Sequence, residues 1–348
     1  ATIPSSTGFS TQYKNFGQTS NKGIELALDA VIVDTKDFGL NANFNISYNR
    51  AKIDKLAGGQ TWQSSNWGGK PAGQNDFFIE EGGRLGEVYG YELDGFYTTD
   101  DFSWDGSKWI LNENLTDPTE LIKYNNFGPG SLKLKADEDG KFTKKRLGNT
   151  VPTVTGGFGI NMRYKNFDLS AFFNYSLGNK IVNATKLGSS YYNDTKKGWN
   201  LNDNFTLAKR YSWIDPSTGE NMLKSSYIKS NGLDYTINRL NEINAGASMY
   251  NPGSITEMPL LDWAVEDGSF LRVNNISIGY TLPKVFVNKM FMQNVRIYVT
   301  GYNLYCFTKY SGADPEVDTR RSTPMTPGVD YSAYPKSRSF VGGINVTF

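Results

Sequence analysis

Residues 38–49 read FGLNANFNISYN, and this stretch narrows the possible folds more than any other. Leu40, Ala42, Phe44, Ile46 and Tyr48 alternate without a miss against Asn41, Asn43, Asn45, Ser47 and Asn49. Successive side chains of a strand point to opposite faces, so the segment is predicted to be a strand with one apolar and one polar side. Asparagine is a poor strand former, and polar residues at every position of one face imply that this face is wet. A transmembrane sheet with lipid on one side and a hydrated lumen on the other accounts for both faces. A soluble sandwich with one solvated face is the rival reading of this segment.

The same alternation recurs along the chain. Residues 21–34 place Ile24, Leu26, Leu28, Ala30 and Ile32 on one face, and a polar turn at 35–37 joins them to the strand above. Residues 154–164 and 167–177 form a predicted hairpin around Lys165 and Asn166. In 269–282, Leu271 and Val273 share one parity and Ile276, Ile278 and Tyr280 the other, which predicts a bulge at Asn274–Asn275. Residues 88–97 and 295–304 are further expected strands. The last strand, 337–348, carries Phe340, Gly342, Ile344, Val346 and the C-terminal Phe348 on one face. It has about the length that crosses a bilayer when tilted. Between these strands lie long aperiodic segments at 57–83, 98–150, 178–268 and 305–336, rich in turn formers, Asn, Tyr and Trp. Connections of that length are rarely idle.

Composition closes off several classes. Lys plus Arg number 36 against 35 for Asp plus Glu, a balance that gives nucleic acid no purchase. There is no histidine, which removes His-based triads, His-ligated zinc and His proton shuttles. Cys306 is the single cysteine, so neither an internal disulfide nor a cysteine metal cluster forms. No run of 18 apolar residues exists, which excludes transmembrane helices but not a β-barrel, whose lumen-facing residues dilute hydropathy. The segment KADEDG at 135–140 partly matches a D-x-D-x-D-G calcium loop, but Lys135 puts an ammonium where the metal needs oxygen, so a charged turn is expected and no metal or other cofactor. Neither a nucleophile elbow nor a phosphate loop is present, so the chain is not expected to be an enzyme.

Several ordered blocks resemble one family. EDGSFLRVNNISIGYTLP at 266–283 resembles the E-x-G-S-F-L-R-L-x-N-x-T-L-G-Y-x-L-P block of SusC/RagA-type TonB-dependent transporters. VRIYVTGYNLYCFTKY at 295–310, SGADPE at 311–316, GVDY at 328–331 and YPKSR at 334–338 follow in family order, and NKGIEL at 21–26 is similar as well. The resemblance implies an all-β chain: the C-terminal part of a large transmembrane antiparallel β-barrel of the 22-stranded type, with long extracellular loops. Residues 1–348 as a whole would be that C-terminal portion, with the plug domain and TonB box outside this sequence. Placing the short turns in the periplasm makes 21–34 run inward from the cell exterior, which also fits a fragment. On the same turns 88–97 and 154–164 both run inward, so either a strand lies between them or 88–97 does not span.

The function implied is active import of oligosaccharides or peptides across the Gram-negative outer membrane, energised through TonB. Implied partners are a SusD-like surface lipoprotein that lids the barrel, TonB, the outer-membrane barrel assembly machinery and the lipid bilayer. The loop aromatics Trp62, Trp67, Tyr191, Tyr192, Trp199 and Trp213 are candidate substrate contacts, since aromatic faces stack on sugar rings and peptide side chains. Loop packing or contact with the lid lipoprotein is the competing role for each. Phe348, with Val346 and Ile344, is the candidate assembly signal. The alternatives are a porin-like or scaffolding barrel without active transport, and a soluble secreted glycan binder.

Overall fold

The computed structural model describes residue 8 and residues 17–57, 62–64, 76–192, 200–319 and 325–348. Its frame is one seven-stranded sheet in which every strand pairs antiparallel with the one before it. We number these strands β1 (Gly17–Asp34), β2 (Phe38–Leu56), β3 (Val154–Tyr164), β4 (Phe167–Leu177), β5 (Phe270–Thr281), β6 (Asn294–Thr308) and β7 (Ser339–Thr347). Short connections at 35–37, 165–166 and 282–293 lie at one rim, and long ones at 57–153, 178–269 and 309–338 at the other. The segment 88–97 is not a spanning strand, because β2 pairs directly with β3. It splits into Glu87–Gly90 and Leu93–Phe96, which belong to two small sheets within the first long connection.

Register converts the sequence alternation into two continuous surfaces. Leu28, Phe44, Phe158, Phe173, Val273 and Tyr305 stand in one row across six strands. Phe38, Tyr164, Phe167, Tyr280, Ile297 and Ile344 form another at the short-turn rim, where the Phe167 and Tyr280 rings lie 4.6 Å apart. That row is an aromatic belt of the kind found at membrane interfaces. Large apolar side chains on this face are open, Ile24 at 74% and Phe167 at 55% exposure. An apolar face of this extent is not tolerated in water. The opposite face carries rows such as Asn41, Asn161, Ser170, Ser277 and Thr300, with the Thr300 hydroxyl donating to Ser277 Oγ at 2.8 Å.

The expected bulge falls between Val273 and Asn275, and its effect is specific. On an uninterrupted strand Arg272 would share the parity of Ile276 and Ile278 and face lipid. The extra residue, Asn274, reverses the parity, so Leu271 and Val273 point out and Arg272 points in. β6 answers with Asn303 at φ 50°, where two residues on β6 face one on β5. Turned inward, Arg272 meets the third long connection: its Nη2 donates to Asp314 Oδ1 and its Nε to Glu316 Oε2, each at 2.6 Å. Lys336 Nζ reaches the same Glu316 oxygen at 2.7 Å. Lower on this face Arg296 engages both carboxylate oxygens of Asp168. Gly279 lies between them, and a Cβ there would meet the Arg296 guanidinium.

The long connections are folded, not slack. One apolar cluster draws Phe77, Val88 and Ile122 from the first, Leu187, Tyr250 and Leu260 from the second and Val329 from the third. A second cluster joins Tyr97, Phe102 and Trp109 to Tyr211, Met222 and Leu240. Helices Ser225–Asn231 and Leu233–Ile243 belong to this part, which the sequence pattern reads only as loop. Together the connections make a packed roof above one rim of the sheet.

Arg272→Ala leaves Asp314 buried without its counter-charge, a loss of about 3–5 kcal/mol. In the full-length protein we expect a lower temperature of heat-induced mobility shift on unboiled gels and faster proteolysis within 309–318, partly restored by Arg272→Lys. Unchanged behaviour would remove the clamp from the forces that hold the third connection.

Candidate functional site

A polar recess of about 430 Å³ opens where the second and third long connections meet. Its floor is a three-stranded sheet in which Lys180–Asn183 pairs antiparallel with Val265–Asp267 and parallel with Val329–Asp330. Asn183 ends the middle strand and starts the helix Ala184–Gly188, its side-chain oxygen accepting from the Lys186 N–H at 2.8 Å. This is the ordinary reason for asparagine at such a point: it satisfies a backbone donor that the helix leaves open.

Glu266 ties the walls together. Its carboxylate accepts from the Ser311 N–H and hydroxyl, both at 2.7 Å, and from the Asn183 amide at 3.1 Å. Lys186 Nζ lies 3.1 Å from it, donates to the Trp263 carbonyl at 2.8 Å and sits over the Trp263 ring. Burial alone would raise the Glu266 pKa, but the Ser311 hydroxyl and N–H and the Lys186 ammonium outweigh it and hold the group below the usual glutamate value. Within the third connection the buried Tyr310 hydroxyl donates to Asp330 Oδ2 at 2.6 Å. Burial first, then that carboxylate, push the Tyr310 pKa up, so it stays a neutral donor.

With those groups committed, the side chains of Asp203, Asn204 and Ser332 on the recess wall have no hydrogen-bond partner among the described residues. Small residues Gly312 and Ala313 leave room beside them. Because Ser311–Ala313 leads directly into Asp314 at the Arg272 clamp, the recess adjoins the polar face of the sheet. A wall of hydroxyls, amides and one free carboxylate suits a neutral or cationic polar ligand held by hydrogen bonds.

Among the described residues, none of the aromatics singled out in the sequence lines this recess. Trp213 is buried in the second cluster with its indole N–H donating to the Pro129 carbonyl at 2.7 Å. Tyr191 is buried in the first cluster. Both rings pack within these clusters, the competing role the sequence allows for them. Tyr192 is exposed. Trp62 begins the short strand Trp62–Ser64, paired with Phe77–Ile79, while Trp67 and Trp199 lie outside the described residues. Ile344 and Val346 sit on the lipid-facing side of β7, opposite Ile297 and Val295. Phe348 follows the strand end and is exposed. The 135–140 segment is a charged turn: Asp137 Oδ1 accepts from the N–H groups of Asp139 and Lys141, and Lys135 pairs with Glu92.

An antiparallel sheet with one lipid-facing surface, one polar surface and all its long connections at one rim is a sector of a large transmembrane β-barrel. No helix among the described residues is long and apolar enough to cross a membrane. The comparisons agree. TonB-dependent receptor P3 of Formosa agariphila is 30% identical over 99% of this chain, a match that spans 30% of its own length. TonB-dependent receptor SusC of Bacteroides thetaiotaomicron is 25% identical over 99% of the chain and 28% of its length. The solved structure of the RagAB peptide transporter superposes on the whole chain with a TM-score of 0.59 at 21% identity, over 31% of that chain. No family model matches. Over nearly its whole length the chain is thus similar to TonB-dependent receptors, SusC among them, and shares the fold of the RagAB transporter structure. It spans about a third of the length of the curated relatives it matches.

A carboxylate held below its ordinary pKa contributes stability above its unfolded value and loses it as pH falls through the folded one. The Glu266 seam should therefore be intact at pH 7 and loosen below about pH 4. Amide exchange at 180–183 and 311–313, corrected for intrinsic rate, should rise at acid pH and become pH-independent in Glu266→Gln.

Proposed function

We propose that this chain is the C-terminal portion of the barrel of an outer-membrane importer that takes up polar oligomers, oligosaccharides or peptides, as the SusC-like half of a complex with a SusD-like surface lipoprotein. The observation that carries this reading is the polar recess, built where two of the three interlocked connections meet beside the hydrated face of the sheet. A passive pore needs no such roof, whereas an importer needs a site that holds cargo at the mouth until the path through the barrel opens. The likeness to the receptor SusC and to the RagAB peptide transporter supports the same reading. Energy would come through TonB, by way of a plug and a TonB-contacting segment supplied from outside residues 1–348.

The roof would face the cell exterior, where the lipoprotein closes over it, and the short turns the periplasm. Tyr192, exposed on the second connection, is available to cargo or lid. The recess groups Asp203, Asn204 and Ser332 are the proposed cargo contacts, through hydrogen bonds to hydroxyl or amide groups.

Ala313→Trp, made in the full-length receptor, fills the recess without touching the seam. Uptake of the cargo that co-purifies with the native complex should fall by an order of magnitude or more at unchanged surface level. Equal uptake by the filled variant would take the recess off the import route.

The end of the chain is proposed as the assembly signal. Phe348 is expected to be read by the barrel assembly machinery together with Val346 and Ile344, which line the lipid face behind it. Phe348→Asp should lower the amount of heat-modifiable barrel in the outer membrane severalfold, while Thr347→Ser leaves it unchanged; normal levels of the aspartate variant would sink the assignment.

A further inference from the structure

The lipid-facing surface of β1 and β2 does not stop at its last apolar pair, Ile24 and Tyr48. One step further toward the long-connection rim, on the same face, Lys22 stands opposite Arg50, and beyond them Ser20 stands opposite Lys52. The first long connection adds to this cluster. Ile53 exchanges backbone hydrogen bonds with Gly82 and Gly83, at 2.8 and 2.9 Å, which lays that segment beside β2 and brings Arg84 to the same place. Lys22, Arg50, Lys52 and Arg84 line one recess of about 430 Å³ with a single carboxylate, Asp54, on which the Ser20 hydroxyl already donates at 2.9 Å.

None of these four cations makes an ion pair among the described residues. Elsewhere on the chain exposed cations do find carboxylates, as Arg163 finds Asp34 and Lys145 finds Glu92. Concentrating like charges without partners is unfavourable unless an anion joins them. The position says which anion. Two residues of strand advance by about 7 Å, so Lys22 and Arg50 lie one headgroup depth beyond the row of Ile24 and Tyr48. Tyrosine is a residue of the interfacial belt, and lysine and arginine just beyond it meet lipid headgroups. The recess opens on the lipid side of the sheet and not on the polar side, which separates it from the cargo path.

We propose that this recess binds the phosphate of a membrane lipid headgroup in the leaflet at the long-connection rim, with Arg50 and Arg84 supplying paired N–H donors and Lys22 and Lys52 supplying charge. Asp54 is engaged by the Ser20 hydroxyl. The proposal rests on the membrane-spanning reading of the sheet, and its test keeps the two apart.

The full-length receptor is extracted in mild detergent and measured by native mass spectrometry with added lipid A, either diphosphorylated or enzymatically dephosphorylated. We expect the wild-type barrel to retain the phosphorylated lipid in preference, and each cation removed to weaken retention about fivefold. The comparison uses Arg50→Gln with Lys52→Gln, and separately Arg84→Gln, which lies outside the sheet. Inorganic phosphate should displace the lipid poorly. Equal retention of the two lipids, unchanged retention in both variants, or complete displacement by millimolar phosphate would overturn the lipid site; the last would mark a site for free anions. Heat-modifiability of the same samples reports the barrel itself: a preparation that never inserts refutes the membrane reading, whereas one that inserts without preferring the phosphorylated lipid refutes this proposal alone.

Discussion

The rest of the structure depends on the register of its seven strands. Side chains alternate with period two, so a slip of one residue would carry every asparagine of β2 into lipid and every leucine into water. The observed rows admit no such slip. Leu28, Phe44, Phe158 and Phe173 share one row and Asn43 and Gly159 the next, so each strand is held in place by its neighbour's two-sidedness. Where a functional side chain needs the opposite face, the fold inserts a residue and does not break the rows. The bulge at Asn274 and the left-handed Asn303 together turn Arg272 inward while Val273 and Tyr305 stay outward.

From that reversal the roof acquires its anchor. Arg272 is a β-strand residue reached by Asp314 and Glu316 of a distant connection, so the third connection is fixed to the sheet wall at the polar face. The same connection is then stitched to the second through Ser311 and Glu266 and braced within itself through Tyr310 and Asp330. The recess between them is therefore bounded by segments that cannot move independently. A change at the recess would be felt at the wall, and the reverse, through contiguous hydrogen bonds and ion pairs. Those bonds are the physical route that couples the recess to the sheet wall.

How much of this is legible in the sequence follows from the same physics. The strands facing lipid and lumen declare themselves, because two solvents of opposite polarity write an alternating pattern; even the bulge at Asn274 is visible as a change of parity. The upper ends of β1 and β2 escape that reading, since beyond Tyr48 the outer face passes from apolar residues to Arg50, Lys52 and Asp54 while Ile53 is buried on the other face, and the alternation fades. Residues 88–97 mimic a spanning strand because Val88, Leu93 and Phe96 are apolar for another reason: they pack inside the roof. Trp213 and Tyr191 pack in the same clusters, so the aromatic content of the aperiodic chain is also what builds its apolar cores. The recess itself is nearly invisible. Its Asn, Ser and Thr residues come mostly from segments far apart in sequence, and only Glu266, Ser311–Ala313 and Asp330, which fall in recognisable blocks, carry a signal.

The central claim is that one sheet separates lipid from a hydrated lumen. The most direct measurement places single cysteines on β2 of the full-length receptor in native membranes, with Cys306→Ser as background, and compares Asn43→Cys and Asn45→Cys with Ala42→Cys and Phe44→Cys. A water-borne, membrane-impermeant thiol reagent should label the first two, and a lipid-dissolved reagent the last two. Labelling that does not alternate, or all four positions reacting from water, would contradict the account.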